Sequence, residues 1–283
     1  MPSTYDVVDP ATMEVIGTAP EHTEVDVLDS IERAEKIARE WASSREFRRN
    51  ALKELAKRII ANEERLATLL SLEQGKVFAD ALTEFRVGAS LFEYYANLDW
   101  DESLTLPDRV DRSVAVQYKP VGLVGTITPW NFPISLLCVK LAPALASGCT
   151  VISRPSPTTP LSTLALVELA SEVLPAGVLQ ANTSSTRAVS VALSTLSEIR
   201  KISFTGSTEV GSMIAQQSAS SVKRVTLELG GNDPAIVLDD ADIDVTAKGI
   251  VTSAFRNAGQ VCMAVKRVYA PRNRVDELVE AIS

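Results

Sequence analysis

Hydrophobic and polar residues over the first hundred positions recur with the spacing of amphipathic helices. Residues 1–20 predict short extended segments around turns. Apolar side chains in 25–39 share one face, with acidic residues early and basic residues later, which predicts a helix. The same spacing predicts a longer helix over 45–70 and another over 77–95.

The pattern changes after residue 110. Residues 112–117 alternate with a period of two, and an apolar run over 123–127 follows a break at Lys119, Pro120 and Gly122. This pattern predicts a β-hairpin or protruding ribbon that leads into a buried strand.

From about residue 121, short apolar strands alternate with helices of about ten residues or more. The predicted strands are 149–153, 178–182, 200–204, 223–229 and 235–238, and the predicted helices are 133–147, 161–173, 188–196, 208–218 and 243–255. Such alternation is typical of an α/β fold, a doubly wound parallel sheet covered by helices on both faces. Ligands of such sheets bind beyond the carboxyl ends of the strands.

Composition narrows the class of protein. The 283 residues are 46% hydrophobic and 23% charged, which is ordinary for a soluble globular protein, and the length suggests about two domains or one large one. A net charge of −8 argues against nucleic acid or an anionic membrane as the main partner. The sequence has no pattern of a secretory signal or a membrane span, so we expect a cytoplasmic chain with reduced cysteines.

Histidine usage excludes several kinds of site. The single histidine, His22, lies in an N-terminal segment of turn-like composition. A nucleophile activated by histidine would have to recruit it from far away in the sequence. One histidine and three scattered cysteines also do not form a ligand set for zinc, so we expect no metal.

The three cysteines lie in different surroundings. Cys138 and Cys149 lie in apolar runs, which predicts buried packing. Cys262 lies in FRNAGQVC, a loop-like break, and is the candidate nucleophile. Glu228 in the apolar strand LELGG is a candidate base, because burial would raise the pKa of its carboxyl group. An edge-strand glutamate that points to water fits the same pattern, and both interpretations stay open.

Three further loops at predicted strand ends have two interpretations each. Gly206 and Ser207 in FTGSTEVG fit either a phosphate loop at a helix start or an ordinary capped turn. Arg154 in SRPSP fits a contact to an anionic or hydroxyl-bearing ligand, or an exposed basic side chain. Asn131 in TPWNFP fits an oxyanion donor or a local turn former.

These segments, in this order, resemble the NAD(P)-dependent aldehyde dehydrogenase superfamily over essentially the whole chain. The motifs that carry the resemblance are VGLVGTITPWNFPI, KLAPALASGCTVISRPSPTTPL, KISFTGSTEVG, VTLELGGNDPAIVLDDADID and FRNAGQVC. The resemblance implies a Rossmann-like NAD(P)-binding domain formed by 1–100 and 121–231. It also implies a bridging or oligomerisation hairpin at 101–120 and an incomplete catalytic domain at 232–283.

The resemblance also implies roles for individual residues. Cys262 would be the nucleophile, Asn131 and the Cys262 N–H would form the oxyanion hole, Glu228 would activate water, and Lys140 would lie near this network. The implied contacts to NAD or NADP are Thr128, Pro129, Trp130, Arg154, Ser156, Gly206, Ser207, Gly211 and Leu229.

The implied reaction is NAD(P)+-dependent oxidation of a small aldehyde to a carboxylic acid, through a cysteine thiohemiacetal and a thioester. Three departures from the family pattern matter. Pro157 replaces the usual acid, which makes Arg154 a candidate contact for a 2′-phosphate, and NAD versus NADP stays open. The stretch LQANTSSTRAVS lacks the usual glycines. The chain also ends soon after Cys262, so we expect a truncated, poorly active protein whose family-type homo-oligomer is in doubt.

Two other functions stay open. A non-catalytic nucleotide-binding or interaction fragment would keep the cofactor-domain surfaces without turnover. An acylating enzyme would pass the thioester to coenzyme A, although Glu228 as a base argues for hydrolysis.

Overall fold

The computed structural model describes residues 3–109 and 112–283. Residues 110 and 111, within the predicted hairpin segment, lie outside the described residues. The chain forms two compact units. The first comprises Met1–Thr205 and Val210–Leu227, and the second comprises Gly206–Glu209 and Glu228–Ser283. The functional labels given above to the domains stay predictions.

A small hairpin and four helices begin the first unit. Strands β1 (Thr4–Val8) and β2 (Val15–Pro20) pair antiparallel. The helices are α1 (Glu24–Ser43), α2 (Arg45–Ala61), α3 (Glu63–Gln74) and α4 (Phe78–Asn97). The helix expected over 25–39 is therefore longer at its C-terminal end, and the helix expected over 77–95 is confirmed.

The prediction of a single helix over 45–70 is wrong, because the helix is interrupted at Asn62. The Asn62 N–H and side-chain amide both donate to the Arg58 carbonyl, which ends α2. Glu63 and Glu64 follow in the first turn of α3, where carboxylates favour a helix start. Hydrophobic spacing continues through the break, so the apolar pattern alone concealed it.

A five-stranded sheet forms the centre of the first unit. Its strands are β5 (Val124–Ile127), β6 (Val151–Arg154), β7 (Leu179–Ala181), β8 (Lys201–Thr205) and β9 (Arg224–Glu228), in the order β7-β6-β5-β8-β9. Pairs β5–β6, β6–β7 and β5–β8 are parallel. The connecting helices are α5 (Pro133–Ala146), α6 (Leu161–Ser171), α7 (Ala188–Thr195) and α8 (Thr208–Ala219). The predicted α/β fold is confirmed.

The strand order places a topological switch at β5. The chain proceeds from β5 through β6 to β7 on one side, then returns to add β8 on the other side. In open parallel sheets, ligands bind beyond the carboxyl ends of the strands at such a point. Strand β5 is wholly buried, and a Cβ on Gly125 would lie 2.7 Å from Ile202 Cδ1, so a larger residue there would displace the end of the Ile202 side chain.

The segment after α4 forms an antiparallel hairpin of β3 (Ser103–Arg109) and β4 (Arg112–Gln117). Ser103 pairs with Gln117 and Leu106 with Val114. The hairpin expectation is therefore confirmed for the described backbone, while its role in bridging or oligomerisation stays a prediction.

The second unit contains a parallel pair of strands, β10 (Asp233–Ile236) and β11 (Val265–Tyr269). Helices α9 (Ile243–Phe255) and α10 (Val275–Ile282) accompany them. A small apolar cluster of Val237, Ile243, Ala247, Ile250 and Leu278 holds these elements together. No helix among the described residues of either unit is long and apolar enough to cross a membrane.

Candidate active site

The loop after β5 carries Thr128, Pro129, Trp130 and Asn131. Thr128 is buried and donates its N–H to the Arg154 carbonyl at 3.2 Å. Trp130 is 43% exposed, and Pro129 and Asn131 are half-buried. The Asn131 backbone carbonyl accepts a hydrogen bond from Lys76 Nζ at 2.8 Å. This contact fixes the loop at the residue that the sequence nominates as the oxyanion donor.

Lys140 lies on α5 and is buried, with 7% of its surface exposed. Its Nζ donates to the Thr205 hydroxyl at 2.7 Å, at the carboxyl end of β8. A buried ammonium group needs such acceptors because it has lost water. Lys140 therefore links α5 to the end of a central strand.

Arg154 ends β6, and its side chain is buried rather than exposed, so the interpretation as an exposed basic side chain is wrong. One guanidinium nitrogen donates to the Thr186 carbonyl at 3.0 Å and lies 3.5 Å from the Ser184 carbonyl. Burial lowers the pKa of Arg154, with Tyr5 and Glu21 as opposing influences.

The loop that lacks the family's glycines is tied to the N-terminal segment. Glu21 accepts from the Ser185 N–H at 3.1 and 3.0 Å and from the Ser184 hydroxyl. The Thr183 N–H donates to His22 Nδ1 at 3.0 Å. The single histidine is thus engaged in anchoring this loop.

Two other proposed cofactor contacts in the first unit are buried. The Ser156 hydroxyl lies 3.0 Å from the Thr158 hydroxyl, in the loop after β6. Gly211 lies inside α8 and is buried. Their roles toward a cofactor stay predictions.

In the second unit, the Gly206 N–H donates to the Glu228 carbonyl at 3.0 Å. Gly206 and Leu229 are half-buried, whereas Ser207 and Glu228 are exposed. Of the two interpretations that the sequence left open for Glu228, the edge-strand glutamate that points to water agrees with the structure, and the desolvated carboxylate does not. An exposed carboxylate is nevertheless accessible to water, so its role as a base stays a prediction.

Cys262 is exposed, while Cys138 and Cys149 are buried as expected. Burial raises the pKa of the Cys138 thiol, so Cys138 stays protonated at neutral pH. A Cβ on Gly231 would lie 3.3 Å from the Cys262 carbonyl oxygen. The glycine pair after Glu228 therefore passes close to the backbone of the candidate nucleophile.

A lysine braces the loop around Cys262. Lys266 Nζ donates to the carbonyls of Val261 and Ala264 at 3.3 and 3.2 Å and lies 3.5 Å from the Cys262 carbonyl. This places a positive charge beside the backbone of the thiol-bearing residue.

The turn before this loop has an unusual backbone. Asn257, Ala258 and Gly259 have positive φ values of 49°, 57° and 77°. The left-handed region favours glycine, and alanine there is strained because its Cβ approaches the following carbonyl. The turn therefore stores strain just before Cys262. No group of three or more His, Cys, Asp or Glu side chains suited to a metal occurs within residues 3–109 and 112–283.

Comparison with known proteins decides the family. The sequence profile of the aldehyde dehydrogenase family matches residues 1–283. The chain belongs to the aldehyde dehydrogenase family. It is 40% identical over 99% of its length to the glutarate-semialdehyde dehydrogenase of Pseudomonas putida, of which it covers 59%. It is 38% identical over 98% of its length to the NADP(+) succinate-semialdehyde dehydrogenase GabD of Escherichia coli, of which it covers 58%.

Solved structures agree with this membership. The structure of PnpE in complex with nicotinamide adenine dinucleotide matches 99% of the chain with a TM-score of 0.95 at 35% identity, and the match covers 58% of PnpE. The chain thus spans somewhat more than half the length of these aldehyde dehydrogenase relatives.

The sequence interpretation missed four residues of this region, Lys76, Glu84, Thr205 and Lys266. One signal was available for Glu84, which occupies the buried face of α4 between Ala81 and Phe85. A carboxylate on an apolar helix face is costly unless it has partners, so its position indicates a paired group. The identity of the partners depended on the tertiary structure.

Proposed function

We propose that this member of the aldehyde dehydrogenase family serves the NAD(P)+-dependent oxidation of an aldehyde to a carboxylic acid. The observation that carries the proposal is the exposed Cys262 thiol, whose backbone lies against the glycine pair that follows Glu228. A thiol is intrinsically a strong nucleophile, and exposure gives it access to a substrate. The other two cysteines are buried and do not compete for this role.

The carboxyl edge of the sheet fits a dinucleotide. The buried hydroxyl groups of Thr128 and Thr159 and the side-chain oxygen of Asn182 have no hydrogen-bond partner among the described residues. These three residues follow β5, β6 and β7, where parallel sheets bind nucleotides. NAD or NADP would be held by Thr128, Trp130, Ser156 and the Gly206–Ser207 turn. When bound, the oxidised nicotinamide would supply the hydride acceptor.

The chemistry of the chain itself follows from these groups. The Cys262 thiolate adds to the aldehyde carbon, and the resulting oxyanion accepts hydrogen bonds from the Asn131 side-chain amide and the Cys262 N–H. Loss of hydride from this thiohemiacetal leaves a thioester on Cys262. Glu228 takes a proton from water, which attacks the thioester carbon, and the C–S bond breaks to release the acid and the thiolate.

We propose a semialdehyde as the substrate class. Both named relatives act on short semialdehydes, glutarate and succinate semialdehyde, which carry a carboxylate at the far end.

A cytoplasmic location is supported by three cysteines that are all free. A homo-oligomer through the β3–β4 hairpin is a further proposal from family resemblance.

The experiment measures NAD(P)H formation after mixing the purified chain with succinate or glutarate semialdehyde and either cofactor. We expect a burst of about one equivalent per Cys262, followed by slower turnover. Cys262→Ser abolishes the burst, whereas Cys149→Ser, a change at a buried cysteine, keeps it. Glu228→Gln keeps the burst and loses the later phase, because only thioester hydrolysis needs the base.

The alternative functions give different results. Cofactor binding without any burst would favour the non-catalytic nucleotide-binding fragment. A burst whose later phase requires coenzyme A instead of Glu228 would favour an acylating enzyme.

A further inference from the structure

A buried ion pair lies directly behind the Asn131 loop. Lys76 Nζ contacts Glu84 Oε1, and their side chains are 1% and 3% exposed. Lys76 lies in the connection between α3 and α4, and Glu84 lies 8 residues later, within α4. Burial of two charges is costly unless every donor and acceptor finds a partner. The surroundings of the pair must therefore supply such partners.

Glu84 uses its second oxygen to hold the start of α5. Glu84 Oε2 accepts from the backbone N–H groups of Ile134 and Ser135 at 3.1 and 2.9 Å. These are first-turn donors that lack partners within the helix. A carboxylate at this position also complements the positive end of the helix dipole. Glu84 therefore fixes the helix that begins directly after the Asn131 loop.

Lys76 holds the loop itself. Besides Glu84, its Nζ donates to the Asn131 carbonyl at 2.8 Å and lies 4.2 Å from the centre of the Phe132 ring. The lysine thus contacts both residues that separate Trp130 from α5. Lys76 therefore holds the Asn131 carbonyl, while Glu84 holds the start of the helix that follows Asn131.

We propose that Lys76 and Glu84 are positioning residues that set the orientation of the Asn131 side-chain amide. The catalytic consequence rests on the proposed function, in which that amide stabilises the oxyanion. A preorganised donor acts because it is already aimed at the developing charge, and a displacement of about 1 Å can cost about 10²-fold in rate. Neither Lys76 nor Glu84 touches the substrate in this proposal.

The chain contains a matched control for the helix-capping part of this arrangement. Glu73, on α3, is 2% exposed and accepts from the Leu161 and Ser162 N–H groups at the start of α6. It caps a neighbouring helix in the same manner, and the hydrogen bonds that it accepts come from the start of α6. A loss of general stability would affect both sites, whereas a positioning effect is confined to the Glu84 site.

The first test is independent of activity. It compares the wild type, Glu84→Gln, Lys76→Met/Glu84→Gln and Glu73→Gln by the heteronuclear NOE of the Asn131 backbone and side-chain amides, identified by their loss in Asn131→Ala. The double variant leaves no buried unpaired charge, and glutamine still accepts from α5. We expect a lower NOE in Glu84→Gln, a still lower one in the double variant, and an unchanged one in Glu73→Gln. An unchanged Asn131 NOE in the folded double variant overturns the proposal.

The second test is a kinetic cycle with Asn131→Ala. We expect Lys76→Met/Glu84→Gln to lower kcat and kcat/KM equally, by about 10²-fold, with KM unchanged. Addition of Asn131→Ala to the double variant then causes no further loss, because both changes remove one donor. Additive losses, or equal losses in Glu73→Gln, show a merely structural role and overturn the proposal.

The two proposals fail separately. A wild type that binds cofactor but forms no NAD(P)H with any semialdehyde contradicts the proposed function. The NOE comparison still decides whether Lys76 and Glu84 position Asn131.

Discussion

The guanidinium group of Arg154 lies 3.0 Å from the carbonyl oxygen of Thr186, inside the protein rather than at its surface. The sequence had offered Arg154 as a contact for a 2′-phosphate. Its geometry instead joins the end of β6 to the loop before α7, the loop in which the family's glycines are missing. One nitrogen of the guanidinium group is thus engaged with backbone carbonyls and is less available to a nucleotide.

Replacement of Arg154 should therefore alter stability more than cofactor preference. Arg154→Met should lower the free energy of unfolding by about 1–3 kcal/mol, because the Thr186 carbonyl loses its donor. The ratio of the affinities for NAD+ and NADP+, measured by calorimetric titration, should stay the same. Arg187→Met, at an exposed arginine in the same loop, is the control. A loss of affinity confined to NADP+ would restore the phosphate-binding role.

Glu73 should make stability depend on pH. Burial raises the pKa of its carboxyl group from 4.5 to about 7, against the hydrogen bonds from Ser162 and Leu161 and with a further raising influence of Glu84. Between about pH 4.5 and 7 the native carboxyl keeps a proton that the unfolded chain has lost. Stability from this group is thus complete below about 4.5 and declines as the pH rises to about 7, by about 3 kcal/mol.

The measurement is urea unfolding of the wild type and Glu73→Gln at several pH values. The difference between the two free energies of unfolding should fall from pH 4.5 to 7 and then level off. Glu64→Gln, at an exposed acid on the same helix, controls for the loss of one carboxyl group. A difference that is flat across this range would show that Glu73 is ionised in the native protein.

The contact between Lys140 and Thr205 should contribute to the stability of the first unit. Thr205→Val keeps the shape of the side chain but removes the acceptor at 2.7 Å from Lys140 Nζ. We expect a loss of about 1–3 kcal/mol, because the ammonium group is buried. Thr205→Ser retains the hydroxyl and should lose less. Equal losses in the two variants, measured by urea unfolding, would mean that packing of the Thr205 methyl group decides the effect.

The central sheet could be predicted from sequence because its strands are short apolar runs bounded by proline or glycine. Strand β5 and helix α9 lie where the pattern placed them. The break at Asn62 could not be predicted from apolar spacing, since that spacing runs on through it. A capping side chain, rather than a change in hydrophobicity, ends α2.

The candidate site was only partly accessible to the same reasoning. Cys262 stood out because it alone among the cysteines lies outside an apolar run, and its exposure agrees. The sequence could not decide between a buried Glu228 and one that points to water, because only the tertiary structure places its strand at the edge of the sheet. Lys76 contacts Asn131 only through tertiary packing, because the two residues are 55 positions apart in the sequence. A local sequence pattern cannot show such a contact.

The strained turn before Cys262 should respond to glycine with a gain in stability. Ala258 has φ 57° and ψ 31°, and the left-handed region costs an alanine roughly 1–2 kcal/mol. Ala258→Gly should therefore stabilise the second unit. The gain in free energy is reduced by the larger conformational entropy of glycine in the unfolded chain. Ala247→Gly, inside α9, should have the opposite sign. Hydrogen exchange of the second unit measures both, and a destabilised Ala258→Gly variant would mean that contacts of the methyl group outweigh the strain.

Thiol reactivity should separate Cys262 from the other two cysteines. Cys262 is exposed, while Cys138 and Cys149 are buried, and burial raises the pKa of the Cys138 thiol, which disfavours the reactive thiolate. A disulfide reagent such as Ellman's reagent should therefore modify one thiol rapidly in the native chain and all three in urea. Cys262→Ser should remove the fast phase, whereas Cys149→Ser should leave it. Two fast thiols in the native wild type would contradict the burial of Cys138 or Cys149 and would reopen the choice of nucleophile.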